Sequence, residues 1–154
     1  MTEHTLFVDS RMASQSVSNL EFSILLNGGE GTVPGEKFKN VTSVEMTALT
    51  FSDPYILEGY EHYFILAIEE LNNRLISNVP NADNSFAVVY YNPSQSGSAQ
   101  FVKGQDFDSK IRTFDPPLNS LSRLTMQIRS GIDMGVNTDY TGYFTMIFKI
   151  KTMY

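Results

Sequence analysis

Leu124-Thr-Met-Gln-Ile-Arg129 decides the fold class, because Leu124, Met126 and Ile128 alternate with Thr125, Gln127 and Arg129. Successive side chains of an extended chain point to opposite faces. A period of two therefore turns one face to a core and the other to solvent or a partner. A helix would need its apolar positions about 3.6 residues apart.

The same period recurs on both sides of this stretch. Leu20, Phe22 and Ile24 alternate with Glu21 and Ser23, and Val44, Met46 and Ala48 alternate with Glu45 and Thr47. Phe144, Met146, Phe148 and Ile150 interleave with Thr145, Ile147, Lys149 and Lys151. Two runs, Tyr63 to Ile68 and Phe86 to Tyr91, are apolar on both faces. Such strands belong at the centre of a sheet, or beneath something that covers their outer face. Leu6 to Val8 and Lys110 to Phe114 read as edge strands, which brings the expected total to about eight.

Turn-rich stretches separate these runs: Asn27-Gly-Gly-Glu-Gly31, Ser52-Asp-Pro54, Asn78-Val-Pro-Asn-Ala-Asp-Asn84 and Asn92-Pro-Ser-Gln-Ser-Gly-Ser98. Only Glu69 to Ile76 has the pattern of a short helix. Many short strands joined by Gly, Pro and Asn turns indicate a sandwich or barrel. Eight of them suit a single jelly roll, two antiparallel four-stranded sheets closed over one core. An immunoglobulin-like sandwich is the alternative, but its Cys and Trp landmarks are missing here. Residues 1–18, rich in Ser and poor in large apolar side chains after Val8, read as an N-terminal arm with an edge strand in it. Residues 19–154 then form the jelly-roll domain.

At 154 residues the chain has the size of one domain, and its 42% hydrophobic content is enough for a core without staples. It has no cysteine, which excludes disulfides, thiolate catalysis and cysteine-ligated zinc. The polar opening Met1-Thr-Glu-His-Thr does not resemble a signal peptide, and no apolar run reaches membrane-spanning length. The expected protein is soluble, is not inserted in a membrane and is not exported by a signal peptide. A net charge of −6, with Lys and Arg scattered singly, argues against nucleic acid as a partner.

Catalytic patterns are weak. The two histidines, His4 and His62, lie far apart in the sequence, and surface or interface positions suit them better than a metal site. Asp106 and Asp108 flank Phe107 as in some calcium loops, yet the further oxygen ligands of an EF-hand are missing. Glu69 and Glu70 are adjacent, so on a strand they diverge and form no acid–base pair. Nucleophile elbows, phosphate loops and dinucleotide fingerprints are absent from the sequence. No enzyme activity and no cofactor are expected. Asn40-Val-Thr42 matches a glycosylation sequon, which has little meaning without an export signal.

Tyrosines give the strongest binding signal. Tyr55, Tyr60, Tyr63, Tyr90, Tyr91, Tyr140 and Tyr143 suit a protein interface, a sugar-stacking platform, or simply the rim of the core.

Several segments together resemble a known family. They are Leu6-Phe-Val-Asp-Ser-Arg11, Ser18-Asn-Leu-Glu-Phe-Ser-Ile-Leu-Leu26, Phe38-Lys-Asn-Val-Thr-Ser-Val-Glu-Met-Thr-Ala-Leu-Thr50, and Tyr63-Phe-Ile-Leu-Ala-Ile-Glu-Glu-Leu71 running into Asn72 and Asn73. Phe114-Asp-Pro-Pro-Leu118, followed by Leu121-Ser-Arg-Leu-Thr-Met-Gln-Ile-Arg129, completes the set. In order and spacing they resemble the single jelly-roll penton and minor capsid proteins of large double-stranded DNA viruses (nucleocytoplasmic large DNA viruses and their polinton-like relatives). The resemblance spans Leu6 to Arg129, and it departs at Ser130-Gly-Ile-Asp-Met-Gly135.

The resemblance implies a virion subunit that packs beside major or other minor capsid proteins. A homo-pentamer at a fivefold vertex is favoured over a cement position. On this expectation Tyr55, Tyr60, Tyr63, Ile65 and Tyr91, with the loops Ser52 to Tyr60 and Asn92 to Ser98, are contact candidates. Arg11, ion-paired with Asp9, would anchor the arm. The alternative function is a carbohydrate- or receptor-binding β module.

Overall fold

The computed structural model describes residues 1–26, 38–57, 62–74, 76–92, 100–103, 107–108, 111–132 and 136–153, with backbone alone at 100–103 and 107–108. The order of elements is β1 (Thr2–Asp9), a 3-10 turn (Ser10–Met12), β2 (Gln15–Ser18), β3 (Glu21–Leu25), β4 (Phe38–Phe51), β5 (Tyr63–Ile68) and β6 (Ala87–Tyr90). Then come β7 (Gln100–Lys103), β8 (Phe107–Asp108), β9 (Ile111–Leu121), β10 (Arg123–Arg129) and β11 (Phe144–Thr152).

These strands form two antiparallel sheets. The first runs β1-β11-β4-β7, with β9 also on β4, and the second runs β2-β3-β10-β5-β6-β8. All eight expected strands are present. β2, β7 and β8 are additional, so the sheets have five and six strands instead of four each. Their sequences carry too few apolar residues in alternation to announce a strand.

The alternating positions build the core. Leu124, Met126 and Ile128 of β10 are buried together with Phe22 and Ile24 of β3 and with Phe144, Met146, Phe148 and Ile150 of β11. Aromatic rings lock the two layers to each other. Phe51 lies 5.9 Å from Phe64 and 5.5 Å from Tyr91, and Phe64 lies 6.3 Å from Phe144. Each such pair contributes about 0.5–1.5 kcal/mol beyond its burial.

The doubly apolar strand β5 is central, between β10 and β6. Phe64, Leu66 and Ile68 face the main core. Ile65 and Ala67, on the opposite face, are also buried although they stand outside that cluster. The covering segment is the connection from β5 to β6. Asn81 donates its backbone N–H to Gly131 O (3.2 Å) and its side-chain amide to Ser130 O (2.8 Å). Val79 and Tyr63 close on Gly131 so tightly that a Cβ there would sit 2.7 Å from both. Ala82, at 1% exposure, is buried in the same covering segment.

Two expectations are corrected. Glu69 to Ile76 holds no helix among its described residues, because Asn72 accepts the Ile68 N–H through its side chain and Asn73 bridges to Ser85. Local Asn hydrogen bonds outcompete a helical turn there. The segment 1–18 is built into the sandwich and is not an arm. β1 pairs with β11 over eight residues, and its Leu6 and Val8 are buried in the core. The edge strand expected at Leu6 to Val8 is present and extends over Thr2–Asp9. Asn27 to Gly31 lies outside the described residues.

Candidate functional site

The pairing registers gather four connections at one end of the sandwich. Asp9 opposite Thr145 and Phe51 opposite Phe144 bring the ends of β1 and β4 beside the start of β11. Tyr63 opposite Tyr90 and Arg129 opposite Ile65 bring the start of β5 beside the ends of β6 and β10.

Side chains stitch this end together. Asn19 donates to Tyr140 O (2.6 Å), Asn137 donates to Tyr55 O (3.0 Å), and Tyr140 Oη donates to Asp53 O (2.7 Å). Burial pushes the Tyr140 phenol well above the ordinary tyrosine range. Ser52 and Tyr143 exchange two bonds: Ser52 N–H donates to Tyr143 O, and Tyr143 N–H donates to Ser52 Oγ.

Asp9-Ser10-Arg11 forms the corner between the sheets. Asp9 caps the 3-10 turn by accepting the Arg11 N–H at 3.0 Å, and Ser10 Oγ accepts the Phe144 N–H at 2.8 Å. Arg11 grips both Asp9 oxygens, with the shortest contact 2.6 Å, and its guanidinium lies 3.8 Å from the centroid of the Tyr143 ring. The side-chain hydrogen bond from Arg11 lowers the Asp9 pKa, and the same bond raises that of Arg11. The ion pair is therefore present, at a corner built into both sheets and not at the root of a mobile arm.

The contact candidates divide. Tyr55 is 55% exposed and Arg11 presents an exposed side chain at this end. Tyr63 is half-buried beside Val79. Ile65 and Tyr91 do not face outward. Ile65 lies under the covering segment, and Tyr91 turns inward to pack 5.5 Å from both Phe51 and Phe64. Tyr60 and the loop from 93 to 98 lie outside the described residues, as do Asp106 and the side chain of Asp108. Tyr140 is also buried, so the described tyrosines of this set do not present a continuous stacking platform.

Two clefts open elsewhere. One of about 370 Å³ is lined by Leu25, Glu70, Leu118, Ser120, Leu121, Ser122 and Arg123. The other, of about 210 Å³, includes Glu21, Glu69, Asn72, Asn84 and Arg129. Neither is lined by an aromatic ring on which a sugar could stack. Glu69 and Glu70 open into different clefts, as adjacent strand-end residues should. Glu70 is occupied with Thr125, whose N–H and Oγ–H both donate to it, at 2.5 and 2.9 Å. Among the described residues no group of three or more His, Asp or Glu is placed to hold a metal ion. No described helix is long and apolar enough to cross a membrane.

A feature absent from the expectations lies on the side of the sandwich formed by β1, the 3-10 turn and β2. Phe7 (62%), Met12 (79%) and Val17 (80%) stand exposed there. The only signal in the sequence is Phe7 itself, an apolar residue out of phase with buried Leu6 and Val8.

Compared with known protein families and with curated proteins, the sequence matches none.

Proposed function

We propose that this chain is a non-catalytic structural subunit of an icosahedral virus capsid. The reading gives it a single jelly-roll fold and, by preference, a place at the fivefold vertices. Its partners are then copies of itself and neighbouring major or minor capsid proteins, and its location is the virion.

The observation that carries the reading is the order of the strands. With β2 and β8 set aside, and β7 and β9 counted as one edge position on β4, eight positions remain. In chain order they read first-last-third-sixth in one sheet and second-seventh-fourth-fifth in the other. A first strand paired with the last in one sheet, and a second paired with the seventh in the other, is what a jelly roll requires, and an immunoglobulin-like sandwich does not produce it. The order supports a jelly roll; the capsid role follows from the family resemblance, including the Asp9-Ser10-Arg11 corner. A two-sheet sandwich with four connections gathered at one end is compatible with a repeated heterologous contact that closes into a ring.

The test is the mass of the purified full chain in solution, measured across a wide concentration range and at several ionic strengths. A pentamer supports the vertex role. A monomer that binds a defined glycan, with specificity lost on substituting Tyr55, would overturn the capsid reading in favour of a binding module.

A further inference from the structure

Edges of β-sheets are templates for pairing with other chains, and proteins blunt the ones they do not use. Three of the four edge positions here are blunted. β2 has four residues and a register shift between Ser16 and Ser18. β8 has two residues. The edge beyond β4 is divided between β7 and β9, and β9 is interrupted by Pro116 and Pro117 and by a register shift. β1 has none of these devices. It is eight residues long, in unbroken register with β11, with no proline and no lysine, and no described strand lies on its other side.

The orientation of the peptide groups on β1 follows from its neighbours. The Tyr143 carbonyl and the Met153 N–H bond towards β4, whereas the Phe144 N–H turns the other way, to Ser10. Backbone groups alternate sides along a strand. The even residues of β11 therefore bond to β1, through their partners His4, Leu6 and Val8. The peptide groups of Glu3, Thr5 and Phe7 point away from the sheet, towards the open edge.

We propose that this edge pairs antiparallel with β1 of a second copy, about a two-fold axis at Thr5, joining two five-stranded sheets into one. In that register Thr5 faces Thr5, His4 faces Leu6, Glu3 faces Phe7 and Thr2 faces Val8. Every pair shares a face, and no like charges oppose each other. Shifting the sum of the paired numbers up by two sets Glu3 against Asp9 twice, a destabilising like-charge pair. Shifting it down by two sets His4 against His4 and leaves Phe7 and Val8 outside the paired strands. The edge thus selects its own sequence as occupant and fixes one register. Phe7 is covered in the process, and exposed Met12 and Val17 lie on the same side of the sandwich. This contact goes beyond the capsid reading and does not depend on it.

The chain has no cysteine, so Thr5→Cys introduces a single thiol on the proposed axis. Hydrogen-bonded antiparallel partners stand about 5.5 Å apart at Cα, within disulfide reach. Mild oxidation of the full-length variant is expected to give covalent dimers, and the same treatment of Asn78→Cys, on an exposed turn, is not. Thr5→Pro removes an outward N–H while sparing the bonds to β11. It should weaken dimerisation by about tenfold or more with the unfolding transition retained. Phe7→Lys, on the exposed face, is the second variant, and it should weaken dimerisation in the same way. Thr5→Cys that cross-links no more than Asn78→Cys overturns the proposal. Pentamers without a Thr5 cross-link overturn the edge pairing and leave the vertex reading standing. Dimers cross-linked through Thr5 that never form pentamers support the edge pairing and count against the vertex reading.

Discussion

The Arg11 guanidinium lies 3.8 Å from the centroid of the Tyr143 ring while its nitrogens hold both carboxylate oxygens of Asp9. Asp9 ends β1 and Tyr143 precedes β11, so this one side chain closes the corner where the first and last strands of the chain meet. Ser10 between them bonds the first N–H of β11. An Asp-Ser-Arg triplet that looks like a hydrophilic turn is a three-part clamp, with one part for each residue.

The clamp predicts a pH dependence. Arg11 holds the folded-state pKa of Asp9 below its ordinary value of about 3.9. A carboxylate with a depressed folded pKa contributes stability that is fully present above the unfolded value. That contribution is lost as pH falls through the folded value. Urea midpoints of the wild type should therefore drop on acidification below about pH 4, and Asp9→Asn should flatten that part of the profile. Arg11→Lys keeps the charge but loses the planar fork and the ring stack, so it should behave like Asp9→Asn and not like wild type. Identical acid profiles for wild type and Asp9→Asn would remove the clamp from the account.

The class of fold was legible because the buried faces of β3, β10 and β11 repeat with period two, as Leu124, Met126 and Ile128 show. Position within the fold was less so. Ile65 and Tyr91 look like outward apolar residues when each strand is read alone. What buries Ile65 is a segment more than ten residues away, pinned by Asn81 to Ser130 and Gly131. What turns Tyr91 inward is aromatic packing with Phe51 and Phe64. Both are tertiary facts with no local signature. β2 was hidden for another reason: Gln15-Ser-Val-Ser18 carries no inward apolar residue, and all four residues are exposed. The end of the sandwich that carries Tyr55, Tyr90 and Tyr143 could not be read from spacing, because it depends on the registers that bring four separate connections together.

The covering segment over β5 makes a second prediction. Ile65→Ala should cost about 2–5 kcal/mol, the range for a fully buried aliphatic truncation. Gly131→Ala, whose new methyl meets Tyr63 and Val79, should cost about 1–3 kcal/mol by overpacking. Because both changes act on the same packed layer, their effects in the double variant should depart from additivity. Chemical denaturation of the four proteins measures this. An Ile65→Ala cost below about 0.5 kcal/mol would mean that the residue lies at a surface after all.

The third prediction concerns Tyr140, the buried phenol that donates to Asp53 O at 2.7 Å and is 3% exposed. Tyr140→Phe removes one hydrogen bond and leaves the Asp53 carbonyl without that donor, at a cost of about 1 kcal/mol. The alkaline behaviour is more discriminating. Burial raises the folded pKa of Tyr140 far above the unfolded value of about 10. Above that pH the unfolded chain releases this proton while the folded chain keeps it, so stability falls as pH rises. Tyr140→Phe removes one proton's worth of that slope. Wild type should therefore lead the variant near neutrality, and that lead should shrink and be lost as pH rises beyond about 10. Equal slopes in the two proteins would show that Tyr140 ionises freely in the folded state, and that the bond to Asp53 does not hold this end of the sandwich together.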